Sequence, residues 1–180
     1  MRLSRLLGLL LTLALVTAAC ESAPATPPEN VLAGADLTQA GGCGDAFVWV
    51  TNSDSTIALT VNWAEAASRA QVDGQLQEAA TLPDEQVTVT IQFGQHLADG
   101  FCTDILMPDR PRIVAEAPAS SGEAEITVLA APGAEPFMPL ASAGVTLSDL
   151  VFEVPVEGSF ETWRIESLDI PDVQVGWLAG

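Results

Sequence analysis

The residues with chemistry to offer gather around two cysteines. Cys43-Gly44-Asp45 and Asp99-Gly100-Phe101-Cys102-Thr103-Asp104 each place an aspartate two positions after the thiol. In extended backbone, residues i and i+2 lie on one side of the chain. A disulfide holds its two Cβ atoms about 4 Å apart, so a Cys43–Cys102 bridge would bring Asp45 and Asp104 within about 10 Å of each other. Asp99 and His96 would sit on the neighbouring loop. Grouped carboxylate oxygens suit calcium, which takes about six to eight oxygen ligands. Asp45, Asp99, Asp104 and His96 are therefore the candidate metal ligands, and calcium is the one cofactor the pattern suggests. The competing reading is stronger: Asp beside Gly is ordinary turn chemistry, with the carboxylate bonding its own backbone. No EF-hand spacing occurs, and the expectation is a domain without a cofactor.

Other chemistries find less support. His96 is the only histidine, so one chain cannot build a multi-histidine centre. The spacing of His96 and Met107 resembles that of ligands in small periplasmic copper carriers, which are β-sandwiches. Those carriers use further His and Met pairs, and here only Met138 is left to join. There is no Gly-x-Ser-x-Gly nucleophile elbow, and lysine and tyrosine are absent. The enzymatic alternative is a carboxylate hydrolase, which needs only two acids across a cleft. Four tryptophans could form a sugar-stacking platform. Trp63, Trp163 and Trp177 share phase with inward aliphatics, however, and Trp49 lies in a run apolar on both faces, which favours core packing. Phe137 and Met138, in a proline-rich stretch, are the better candidates for an exposed interaction loop.

The N-terminus supplies an address. Arg2 and Arg5 precede an apolar run from Leu6 to Val16, about half the length of a membrane-spanning helix. Charge, short apolar run and small residues together read as a signal peptide. Thr17-Ala18-Ala19-Cys20 resembles the lipobox of bacterial lipoproteins, with Thr17 in place of the usual Leu. The resemblance covers residues 1–20 only. It implies cleavage before Cys20 and attachment of a diacylglycerol to its sulfur. The mature protein would then sit in the bacterial cell envelope, lipid-anchored on the extracytoplasmic side. Glu21, rather than Asp, follows the cysteine, which points to the outer membrane in a Gram-negative host. An oxidising compartment also favours pairing Cys43 with Cys102.

Charge narrows the partners. The chain carries −18 at pH 7, and losing Arg2 and Arg5 with the leader makes this −20 (−18 − 2). Nucleic acid is excluded as a partner, because phosphate neutralisation needs clustered Lys and Arg. Proteins, glycans and cations remain, besides the membrane reached through the anchor. The acidic excess also serves as a solvated, aggregation-resistant surface.

The elements that must position these residues are mostly strands. Residues 1–20 are the leader, 21–41 a flexible tether with Pro24, Pro27 and Pro28, and 42–180 the folded domain. Val87, Val89, Ile91 and Phe93 alternate with polar residues, as do Ile57, Leu59, Val61 and Trp63, marking half-buried antiparallel strands. Residues 46–51 are apolar on both faces and read as a central strand. Further strands are expected at 112–117, 123–130, 150–156, 160–167 and 173–178. Turns are expected at Ser120–Gly122 and Val156–Phe160, and an irregularity near Ser167, where Leu168 would otherwise point outward. Residues 131–143 read as a long loop. A short helix over 64–71, capped near Asn62 and stopped by Gly74, is the one helical signal. The spacing predicts an all-β fold, a single antiparallel β-sandwich of immunoglobulin-like type with about eight strands, and a β-barrel as runner-up. The function expected of such a chain is a non-catalytic binding or envelope interaction module, with a calcium-dependent binding module and a carboxylate hydrolase as alternatives.

Overall fold

The structure, a computed structural model, describes residues 29–103, 111–130 and 141–176. Its strands are β1 (Glu29–Val31), β2 (Leu37–Cys43), β3 (Phe47–Asn52), β4 (Ile57–Trp63), β5 (Gln75–Leu82), β6 (Val87–Gln95), β7 (Arg112–Ala130), β8 (Ala141–Val156) and β9 (Ser159–Val175). One helix, α1 (Ala66–Asp73), lies between β4 and β5. The domain is all-β, as the alternation predicts. The nine strands form one sheet in the order β1-β9-β8-β7-β6-β4-β3-β2, with β5 joined to β7. The sheet curls like a barrel until β2 meets the C-terminal part of β9. There the Gly176 N–H donates to the Gly44 carbonyl at 2.6 Å, and Gly42 lies against Val173 and Val175. Opposing walls of the curl share one core that includes Leu59, Trp63, Ile91, Ile126 and Phe152.

The three long strands turn a corner together. The buried set on β7 moves from Ala117 and Ala119 to Ala124, Ile126 and Val128. On β8 it moves from Val145 and Leu147 to Leu150 and Phe152, and on β9 from Ile165 to Leu168 and Ile170. Side chains alternate with period two, so the inward parity changes only where the backbone is irregular. The β7–β8 register slips on both sides of Ser121. Gly122 has φ +135° and Asp149 has φ +53°. A Cβ on Gly122 would lie 3.0 Å from Leu150 Cα and the Ser148 carbonyl oxygen. Strands that bend in this way carry a sheet from one wall to the next.

The corner explains several differences from the sequence reading. Leu168 is buried, because inward parity changes between Ile165 and Leu168, but the β8–β9 register runs unshifted through Ser167, and the positive φ at this level belongs to Asp149 of β8 rather than to a bulge in β9. Ser120–Gly122 is a bend within β7, not a chain reversal, so the two strands expected at 112–117 and 123–130 are one. The strand expected at 160–167 likewise runs on through Val175. The Val156–Phe160 hairpin is as predicted: Glu157 and Gly158, at φ 37° and 87°, form the two-residue turn that suits strand twist.

The sheet also begins earlier than expected. Residues 29–41, read as part of the tether, supply β1 and most of β2. In β2, Gly41 and Gly42 allow close approach: a Cβ on Gly41 would meet the Trp49 ring at 2.4 Å. The helix lies two residues later than predicted and is not capped by Asn62. Its N-cap residue, Glu65, makes no side-chain capping bond, whereas Gly74 ends it at φ 82° as expected.

Candidate functional site

Cys43 and Cys102 are bridged, with Cα atoms 5.7 Å apart. The bridge ties the end of β2 to the loop after a 3-10 turn at Leu97–Gly100. Phe101, beside the bridge, packs on Phe47 and Trp49 with ring centroids 5.8 and 5.4 Å away.

The aspartates near the bridge have structural partners. The Asp45 carboxylate accepts from the backbone N–H and the hydroxyl of Ser68, both at 2.8 Å. Its carbonyl accepts from the Ala67 N–H at 3.1 Å. Asp45 thus caps α1 from a turn 23 residues earlier, satisfying donors that a helix start leaves open. Asp99 Oδ2 lies 3.5 Å from His96 Nδ1 across one exposed turn. Asp104, Met107, Phe137, Met138, Trp177 and Cys20 lie outside the described residues. Among the described residues, no three of His, Cys, Asp and Glu gather as a metal site.

A concave feature with binding character lies elsewhere among the described residues, where the sheet fails to zip. The β7–β8 ladder stops at Ala119↔Phe152. Continuing that register would pair Pro118 with Glu153 and Glu116 with Pro155. Each pair contains a proline, which has no N–H to give. The N-terminal part of β7 is therefore paired only with β6, and the last residues of β8 only with β9. Between them opens a recess of about 350 Å³.

Phe93 from β6 and Trp163 from β9 reach into the recess from opposite walls, and their ring centroids are 4.8 Å apart. Ala115 and the buried Val154 line it, and Glu157 and Glu161 stand beside them. Glu161 accepts from Asn30 Nδ2 at 3.1 Å. Val114 borders the opening and is 71% exposed, and Phe160, on the adjoining hairpin, is 62% exposed. The arrangement offers aromatic and aliphatic surface beside negative charge.

The chain matches no known family model, no curated protein and no solved structure. Its function must therefore be argued from the site itself.

A second hollow, about 310 Å³, adjoins Trp63, Glu78, Asp84 and Gln86. Its central carboxylate is already engaged. Glu78 receives Arg69 Nη2 at 2.7 Å and Trp63 Nε1 at 3.2 Å. This network fastens α1 to β4 and β5.

Of the tryptophans, Trp63 is buried as expected, and Trp163 packs against the core while also lining the recess. Trp49 faces the outside of the curl, over Gly41 and against Phe101. The recess itself escaped the sequence reading. The one signal in the sequence was the pair of prolines at 118 and 155; the β6–β7 register shift that leaves Val114 unpaired is visible only in the fold.

Proposed function

We propose that this protein is a non-catalytic binding module of the bacterial envelope, held by lipid on Cys20 at the extracytoplasmic face of a membrane. In a Gram-negative host that membrane is the outer one. The observation that carries the binding reading is the apolar recess, floored by Phe93 and Trp163. Small-ligand sites are concave, largely apolar and furnished with a few polar groups. The disulfide supports the compartment, since such bonds persist where the surroundings are oxidising.

The recess also lies beside the entry of the chain. β1 runs parallel to β9 with Glu29 opposite Thr162, so the polypeptide arrives next to Glu161 and the hairpin tip. Eight residues, 21–28, separate Cys20 from β1, and covalent geometry limits their reach to roughly 30 Å. The recess would then open close to the membrane surface.

Two experiments test this reading. Palmitate labelling of the wild type, absent in Cys20→Ser, is expected, and equal labelling of both refutes the anchor. A photoreactive residue at position 114 should capture an adduct in cells that one at Val72, also exposed at 82%, does not. Identical adducts at both positions refute the recess as the binding site.

One observation favours a second reading. Glu157 and Glu161 adjoin the same recess, and a carboxylate hydrolase places two such groups about 5–10 Å apart across a sugar. It predicts turnover of aryl glycosides that is lost in Glu161→Gln. A wild-type protein without turnover removes it.

A further inference from the structure

We infer that the recess takes a small organic cation with an apolar body, an arylammonium or alkylammonium; this rests on the binding reading above. Three features converge on that class. The first is the aromatic pair. Trp163 is only partly buried, and the face of an indole or phenyl ring attracts an ammonium group by its quadrupole. The second is the rim. Glu157 and Glu161 supply two carboxylates, whereas Glu116 and Glu153, next to the lining residues Ala115 and Val154, alternate to the other face, where they accept from Gln92 and Thr162. Among the described residues, the cations on β7 and β9 are Arg112, at the start of β7, and Arg164. The latter follows Trp163 on β9, where alternation turns it to the opposite face. The third is size. A recess of about 350 Å³ falls at the small end of the ligand-pocket range and suits a single ring with a charged head.

Charge complementarity also disposes of the rivals. An anion would meet two carboxylates at the rim. A peptide adding a strand to the open edge of β7 or β8 needs backbone donors along that edge, and Pro118 and Pro155 remove them there. The acidic surface as a whole, −18 for the full chain, raises the local concentration of any cation near it.

The test uses full-length protein and three water-soluble probes of similar shape: benzyltrimethylammonium, benzyl alcohol and benzenesulfonate. Binding is read from tryptophan fluorescence and from the melting temperature at fixed ionic strength. The cation should bind saturably, and the neutral and anionic probes about tenfold more weakly or not at all. Glu161→Gln and Glu157→Gln should each weaken the cation several-fold, and Ala115→Leu, which fills the recess, should abolish binding. Glu157 lies on an exposed turn, so its variant keeps the core intact if either of the others fails to fold.

Equal affinity for all three probes would overturn the cation class and leave the binding reading standing. Cation binding unchanged in all three variants would place it on the general acidic surface and overturn the inference. No binding by any probe would also overturn it. If position 114 nevertheless captured a specific adduct in cells, the binding reading would survive with a different ligand class.

Discussion

The curled sheet has two seams, and they are finished in opposite ways. At the β2–β9 seam the backbones come together. Gly42 has no side chain to hold Val173 and Val175 away, Gly176 donates to Gly44, and Cys43 at the end of β2 is covalently fixed to Cys102. At the β7–β8 seam the strands separate. Prolines interrupt the next pairs of the ladder, Val114 is exposed, and an aromatic-floored recess opens. The same sheet thus closes where its residues are small and cross-linked, and opens where they lack donors. Rigidity at one seam and access at the other suit a domain that holds its shape while presenting a site.

The largest way to break that contrast is to cut the covalent tie. The bridge spans 59 residues, and the chain-entropy model assigns about 4 kcal/mol to a loop of that length. For a domain of this size Cys102→Ala should lower the melting temperature by roughly 10 °C. Equal melting temperatures would mean that the closed seam does not depend on the bridge. The next test adds the same kind of bulk to each seam. Gly42→Val places a Cβ 2.8 Å from a Val173 methyl and 3.0 Å from the Gln174 carbonyl oxygen, which should cost about 1–3 kcal/mol by overpacking. Ala115→Leu grows into open space at the other seam and should cost less than about 1 kcal/mol. Comparable losses in denaturant melts would show that the two seams are equally tight.

Much of this architecture was legible in the sequence, because strands with one wet face advertise themselves by period two. β4 and β6 were read almost residue for residue on that signal. The same rule failed where the parity changes. A bend at Gly122 looks like a turn when the partner strands that bend with it are not in view. β5, with Leu76 and Leu82 among polar residues and alanines, carries too weak an alternation to stand out, and it is held by pairing with β7. Of the sites, the disulfide followed from cysteine count and compartment. The recess did not, because it depends on where Pro118 and Pro155 fall in the β7–β8 register, and that register is a tertiary fact.

Asp45 offers a smaller and more discriminating effect. Its bonds to Ser68 predict that Asp45→Ala costs about 1 kcal/mol, the usual worth of a helix cap. As a cap, Asp45 works without metal, so the loss in melting temperature should be the same with calcium or with a chelator. A loss that appears only in calcium would restore Asp45 to a metal cluster with Asp104 and give the closed seam a ligand of its own.

The smallest expected change in stability comes from the double variant Pro118→Ala, Pro155→Val, and it is the most direct assault on the open seam. Restoring two N–H groups permits hydrogen bonds worth about 0.5–1.5 kcal/mol each. Removing two prolines frees the unfolded chain, which costs about 0.4–1 kcal/mol apiece. The two effects nearly cancel, so the melting temperature should scarcely move. Amide exchange is the sensitive readout. If proline is what parts the strands, residues 114–118 and 153–156 should become protected as the ladder extends past Ala119↔Phe152, and the recess should narrow enough to lose its probe. If exchange is unchanged, the strands are parted by the Phe93–Trp163 contact that wedges the walls apart, and the prolines merely occupy an edge that was already open.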